Sequence, residues 1–139
     1  MRPKKTILLV CASEGHAETL RFLLETRGYY QVYLVDNADE ALWLVKVKPI
    51  RVLMAEATAH SAAASELVRR AKEIDRDLPC LVFSRTCNAS DRAGLANHFI
   101  PEALLNSEEI LLRVGVLSTR KRGPKKGAVA SRGTQAVPA

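Results

Sequence analysis

Thr6-Ile7-Leu8-Leu9-Val10 is a short apolar run that Cys11-Ala12 extends before Ser13 interrupts it. Continuous apolar character without alternation suits a strand covered on both faces, the condition of strands in a parallel sheet. Ser13 is placed to cap a helix reaching about Arg27, with Leu20, Leu23 and Leu24 as its buried stripe. The same alternation then recurs. Gly28 is expected to end the helix, and Tyr30 to Val35 has the aromatic and β-branched content of a second strand. Asn37 opens a second helix, with Glu40 three residues on completing a box-like cap, and Pro49 closes it. Arg51 to Glu56 reads as a third strand and about Ser61 to Ile74 as a third helix carrying Leu67, Val68 and Ala71. Pro79 introduces a fourth strand, Cys80 to Ser84. Asp91 to Ala96 is expected to form a short helix, His98 to Ile100 a minimal fifth strand, and Asn106 or Ser107 to cap a last helix with Ile110, Leu111, Val114 and Leu117 inward. Five β-α units predict an α/β fold: a five-stranded parallel sheet with helices on both faces, because parallel strands need crossovers and the crossovers cover the sheet.

With 139 residues, 47% of them hydrophobic, the chain has material for one domain and one core. Its formal charge of +6 is unevenly placed: residues 1–117 carry fifteen basic and fifteen acidic side chains, and the whole excess lies beyond them. The longest purely apolar stretch, Ile7 to Ala12, is far short of the roughly 20 residues that cross a bilayer, and the N-terminus lacks a signal-peptide pattern. Three widely spaced cysteines, Cys11, Cys80 and Cys87, form no CxxC pair, so neither a disulfide framework nor a zinc knuckle is indicated and a reducing cytoplasm is the expected location.

Over residues 4–117 the chain resembles the receiver domains of two-component response regulators. The resemblance is carried by Ile7-Leu8-Leu9-Val10, Asp39-Glu40-Ala41-Leu42, Pro49 before Val52-Leu53-Met54, Glu66-Leu67-Val68-Arg69-Arg70 and Leu78-Pro79-Cys80-Leu81-Val82-Phe83-Ser84, in that order and spacing. It implies the flavodoxin-like three-layer sandwich with strand order 2-1-3-4-5 and a working site at the carboxyl ends of strands 1, 3 and 4. Receiver chemistry uses an acidic pair after strand 1 to hold Mg²⁺, an Asp at the end of strand 3 to take the phosphoryl group, a Ser or Thr after strand 4 and a Lys after strand 5. Here the acidic pair is replaced by Cys11-Ala12. The phosphoacceptor position falls on Ala55 counted forward from Pro49, or on Glu56 counted back from Glu66 to Arg70. Ser84 alone matches. Ile100 stands where the Lys is placed, and no Lys occurs between Lys72 and Lys121. The pattern is therefore that of a pseudo-receiver that does not use aspartyl phosphorylation and has neither catalytic residues, cofactor nor metal site. His98 matches the family's aromatic switch position beside Ser84.

Glu56 admits two readings. Its carboxylate could stand in for a phosphorylated Asp and hydrogen-bond Ser84; or Ala55 fills the position and Glu56 points to solvent. The second is the expectation, because with Lys and metal gone a buried carboxylate has no evident counter-charge. Cys11, at a strand end ahead of a helix, has the placement of the nucleophile in small thiol phosphatases, but the Arg those loops need six residues on is Ala17 here. Cys11, His16, His60 and Cys87 could share one end of the sheet, which permits a metal or redox site on loop placement alone.

Residues 119–139 are expected to be a disordered basic tail on the domain of residues 1–118. Arg120, Lys121, Arg122, Lys125 and Lys126 could attract nucleic-acid phosphates, although the AT-hook, which has Arg between its Gly and Pro, does not match the adjacent Gly123 and Pro124. The resemblance implies a protein partner or a second copy, bound through about Asp91 to Ala96, His98 to Ile100 and Ser107 to Leu117. A nucleic-acid-associated regulator working through the tail is the alternative. No membrane partner is expected.

Overall fold

The computed structural model describes residues 4–58, 61–86 and 94–119. Its elements follow the predicted alternation: β1 (Thr6–Val10), α1 (Glu14–Thr26), β2 (Gln31–Val35), α2 (Ala38–Val47), β3 (Val52–Glu56), α3 (Ala63–Ile74), β4 (Cys80–Phe83), β5 (His98–Ile100), a 3₁₀ turn (Glu102–Leu104) and α4 (Ser107–Ser118). The strands form one sheet in the order β2-β1-β3-β4-β5, with every neighbouring pair parallel. This is the expected flavodoxin-like order.

Successive strand side chains leave the sheet on opposite faces, so each short apolar run feeds two cores. Leu8, Leu53, Ala55 and Val82 pack with Ala41, Leu42 and Val45 of α2 and Leu67, Val68 and Ala71 of α3. On the other face Ile7, Leu9, Met54, Leu81 and Phe83 meet Leu20 and Leu24 of α1 and Ile110, Val114 and Leu117 of α4. Burial on both faces is what the unbroken apolar runs encode.

Helix ends follow local chemistry, with two revisions. The Asn37 side chain accepts from Glu40 N at 2.8 Å and the Asn106 side chain from Glu109 N at 2.8 Å, each satisfying an orphan donor of the first turn. Ser13 occupies the N-cap of α1 without a side-chain bond, its carbonyl accepting from Ala17 N. Gly28 does not supply the left-handed residue after α1; Tyr29 does, at φ 59°. What Gly28 supplies is space. A Cβ there would lie 2.6 Å from the Tyr30 ring and 2.8 Å from Leu24 O, where the chain doubles back so that Tyr30 N bonds Leu24 O.

In the short helix expected at Asp91 to Ala96, residues 91–93 lie outside the described residues, and Gly94 and Leu95 form a turn with Gly94 at φ +58°. Residues 120–139 also lie outside, so the tail's expected character has no structural counterpart. No described helix is long and apolar enough to cross a membrane.

Candidate functional site

The sheet changes direction between β1 and β3, and side chains at their carboxyl ends face the resulting crevice. Cys11 follows β1 and is buried, its N–H donating to Val35 O at 3.1 Å so that it continues the ladder. Its Sγ donates to Glu56 Oε1 at 3.2 Å, with Ser13 O at 3.8 Å as a weaker acceptor. Glu56, the last residue of β3, stands level with Phe83 of β4. The other oxygen, Oε2, accepts from Arg85 Nε at 2.8 Å, with the Glu56 side chain 10% exposed and that of Arg85 40%.

This corrects the expectation that Glu56 points to solvent. A counter-charge exists, and it comes from Arg85, one residue beyond Ser84. Nor does Glu56 make the bond to Ser84 of the alternative reading: its partners are Cys11 and Arg85. Ser84 is fully buried, its N–H donates to Ile100 O at 3.1 Å, and its Oγ accepts from Thr86 N at 3.1 Å. That last bond shapes a serine turn around Arg85. Ser84 thus helps position the cation. Ala55 packs into the α2–α3 core, so the two residues that compete for the phosphoacceptor position leave β3 on opposite faces. Ala12 is exposed at the crevice rim.

His98 does not stand beside Ser84. The β4–β5 register sets it opposite Leu81, three residues earlier, or roughly 10 Å along the strand. Its Nδ1 lies 3.5 Å from Arg113 Nη1, and Arg113 also donates to Glu109 Oε2 at 2.7 Å and Phe99 O at 3.4 Å, tying β5 to α4. His60 and Cys87, offered with Cys11 and His16 as a metal or redox set, lie outside the described residues.

Burial, and then the hydrogen bond to Glu56, push the Cys11 thiol up to about 11 from an ordinary 9.0. The thiol is therefore protonated at neutral pH, a hydrogen-bond donor with little nucleophilic character. His16 on α1 packs its ring 6.2 Å from that of Phe83, tilted by 53°. Burial and the Arg85 charge lower its pKa against a smaller opposing effect of Glu56, and its buried Nε2 has no partner among the described residues.

The residues at the mouth of β1 and β3 do not make a magnesium site. That ion demands several hard oxygen ligands, whereas Cys11 offers a protonated sulfur, Ala12 offers nothing, and both oxygens of Glu56 are engaged. Glu14, Glu18, Asp36 and Glu40 rim the adjoining cleft between α1 and β2, but among the described residues no three His, Cys, Asp or Glu groups converge to hold a metal ion.

The non-phosphorylated HemR receiver domain from Leptospira biflexa superposes with a TM-score of 0.73 at 26% identity, covering 87% of this chain and 99% of that one. The fold is that of response-regulator receiver domains. A receiver domain protein from Methanospirillum hungatei gives a TM-score of 0.71 at 18% identity, covering 84% and 94% of the two chains. An orphan response regulator of H. pylori gives 0.69 at 16% identity, covering 84% and 99%. No family model and no curated protein matches the sequence.

Proposed function

We propose that this chain is a receiver-fold module of two-component signalling that works by binding another protein and does not take a phosphoryl group on an aspartate. The observation that carries the reading is the Glu56–Arg85 ion pair at 2.8 Å. It pairs the carboxylate at the end of β3 with a cation from the turn after β4, whereas receivers place their Lys after the fifth strand. Both carboxylate oxygens are engaged, one accepting from the Cys11 thiol and the other from Arg85. Metal-assisted phosphoryl transfer loses its electrostatic support at the same point.

Binding is assigned to the β5–α4 face. Leu112 is 60% and Val116 47% exposed, one turn apart on α4, and Leu95 is 63% exposed nearby in sequence to β5. The Glu109–Arg113 pair beside them supplies a charged rim. An apolar centre with a polar rim is the composition of a modest protein interface. The occupant is a signalling protein or a second copy.

Incubation with acetyl phosphate and Mg²⁺, followed by intact-mass measurement, tests the chemistry. No hydroxylamine-labile phosphoadduct is expected; such an adduct on the protein would overturn the reading. Sedimentation velocity on Leu112→Glu against the parent chain tests whether the face joins two copies.

A further inference from the structure

A groove of about 530 Å³ runs between α1 and the N-terminal end of α4, away from the β5–α4 face. Its walls are apolar through Leu20, Phe22, Leu23, Leu105 and Ile110, with Phe22 68% exposed. Its size falls within the range of small-molecule sites, and its apolar walls are interrupted by polar groups that include His16, Arg27 and Arg85. His16 lines the groove and its buried Nε2 has no hydrogen-bond partner among the described residues, and a buried polar atom left in that state costs free energy that a ligand can recover. Arg85 gives its Nε to Glu56 and also lines the groove, and among the described residues its terminal nitrogens have no partner.

We propose that this groove binds a small amphipathic organic acid, its apolar body between α1 and α4 and its carboxylate against Arg85 and His16. The occupant is anionic by charge complementarity: Arg27 and Arg85 line the groove against one carboxylate, Glu102, which belongs to the 3₁₀ turn. Engagement of His16 needs a turn of its ring toward the groove. Arg85 joins this site to the crevice, because a carboxylate on its terminal nitrogens competes with Glu56 for the same guanidinium. Occupancy is thereby felt at the Cys11–Glu56 cluster. The inference stands independently of whether the protein is phosphorylated.

The test uses anilinonaphthalene sulfonate as a fluorescent amphipathic anion, octanoate as a competing carboxylate and N-phenylnaphthylamine as a neutral control, on the full chain. One saturable site displaced by octanoate is expected, with a shift of the His16 side-chain nitrogen resonance on binding. Arg85→Gln should weaken the sulfonate about tenfold, the scale of one charge-assisted hydrogen bond, and change the neutral dye by less than about twofold. Thr19→Trp, on an exposed groove position, should abolish binding of both dyes while the circular dichroism spectrum is unchanged. The proposal is overturned by absence of a saturable site, by binding that survives Thr19→Trp, or by equal effects of Arg85→Gln on both dyes. Self-association that Thr19→Trp removes, without anion binding, would assign the groove to a second copy and overturn it too.

Discussion

Replacing Arg85 by Met keeps most of the side chain's apolar length and removes the charge that faces Glu56. At the observed 2.8 Å between Nε and Oε2 the charge centres lie roughly 4 Å apart, which at an effective dielectric of about 20 is a gross attraction of about 4 kcal/mol. Desolvating the nearly buried carboxylate and ordering the long, 40% exposed arginine side chain offset most of that, and exposed pairs retain about 0–1 kcal/mol. With one partner buried and the other half-open, a net coupling of about 1–2 kcal/mol is expected, between the surface and interior cases. Arg85→Met alone should cost somewhat more than the coupling, about 2 kcal/mol, because it also strands a buried carboxylate. Glu56→Gln restores a neutral group and should return part of that loss in the double variant. Urea denaturation of the parent, both single variants and the double variant gives the coupling directly, provided the unfolding slopes agree. A coupling below about 0.3 kcal/mol, within the additivity expected of independent sites, would refute the idea that Arg85 is the counter-charge of the site.

Four further outcomes are expected. Alkylation of Cys11, followed by peptide mass spectrometry, should be slow at pH 7 to 8 and rise with a midpoint near the raised value of about 11; Glu56→Gln, which removes the carboxylate charge beside the thiol, should move that midpoint toward the ordinary 9.0. Because the folded-state value is raised, Cys11's contribution to stability is fully present below pH 9 and is lost as pH rises toward 11, which denaturation at stepped pH reads against Cys11→Ala. Gly28→Ala should destabilise by about 1–3 kcal/mol in thermal unfolding, since its Cβ would meet Leu24 O at 2.8 Å and backbone must shift; an unchanged midpoint would contradict the close approach. Deleting residues 120–139 should remove salt-sensitive retention of DNA or RNA in a gel-shift titration if the basic tail carries any, and leave the unfolding midpoint of the domain unchanged.

The fold was legible because the central strands are built on unbroken apolar runs. Val52-Leu53-Met54-Ala55 and Cys80-Leu81-Val82-Phe83 are buried along their whole length, and only a sheet covered on both faces accounts for such runs. Caps were legible for the same local reason: Asn37 and Asn106 bond donors three residues away, inside the span that sequence can address. The start of β5 was harder. Its three residues take their register from β4, and a short strand bounded by Asn97 and Pro101 carries no periodicity from which that register could be read, so His98 was assigned to a neighbour it does not have. Gly28 shows a different limit. Helix-ending glycine is ordinarily explained by its backbone freedom, whereas here the Tyr30 ring and Leu24 O demand the missing Cβ, and such contacts come from the chain's return path.

At the site, loss was easier to read than replacement. Cys11-Ala12 and Ile100 are absences at positions a pattern defines, so sequence alone reports them. The compensating cation is not at any of those positions. Arg85 enters from the β4 loop, 29 residues from Glu56 in sequence, whereas receivers place their Lys after the fifth strand. A search confined to the family's positions finds no cation and concludes that a buried Glu56 would be unpaired. The physical requirement points the other way: a carboxylate 10% exposed beside a protonated thiol must find a cation among the loops that share its end of the sheet, whichever loop that is. Of those loops, the turn after β4 already carried a basic residue adjacent to the one retained position, Ser84. Asking where the charge has to be balanced, and then which loops can reach that point, would have found Arg85 from the topology alone.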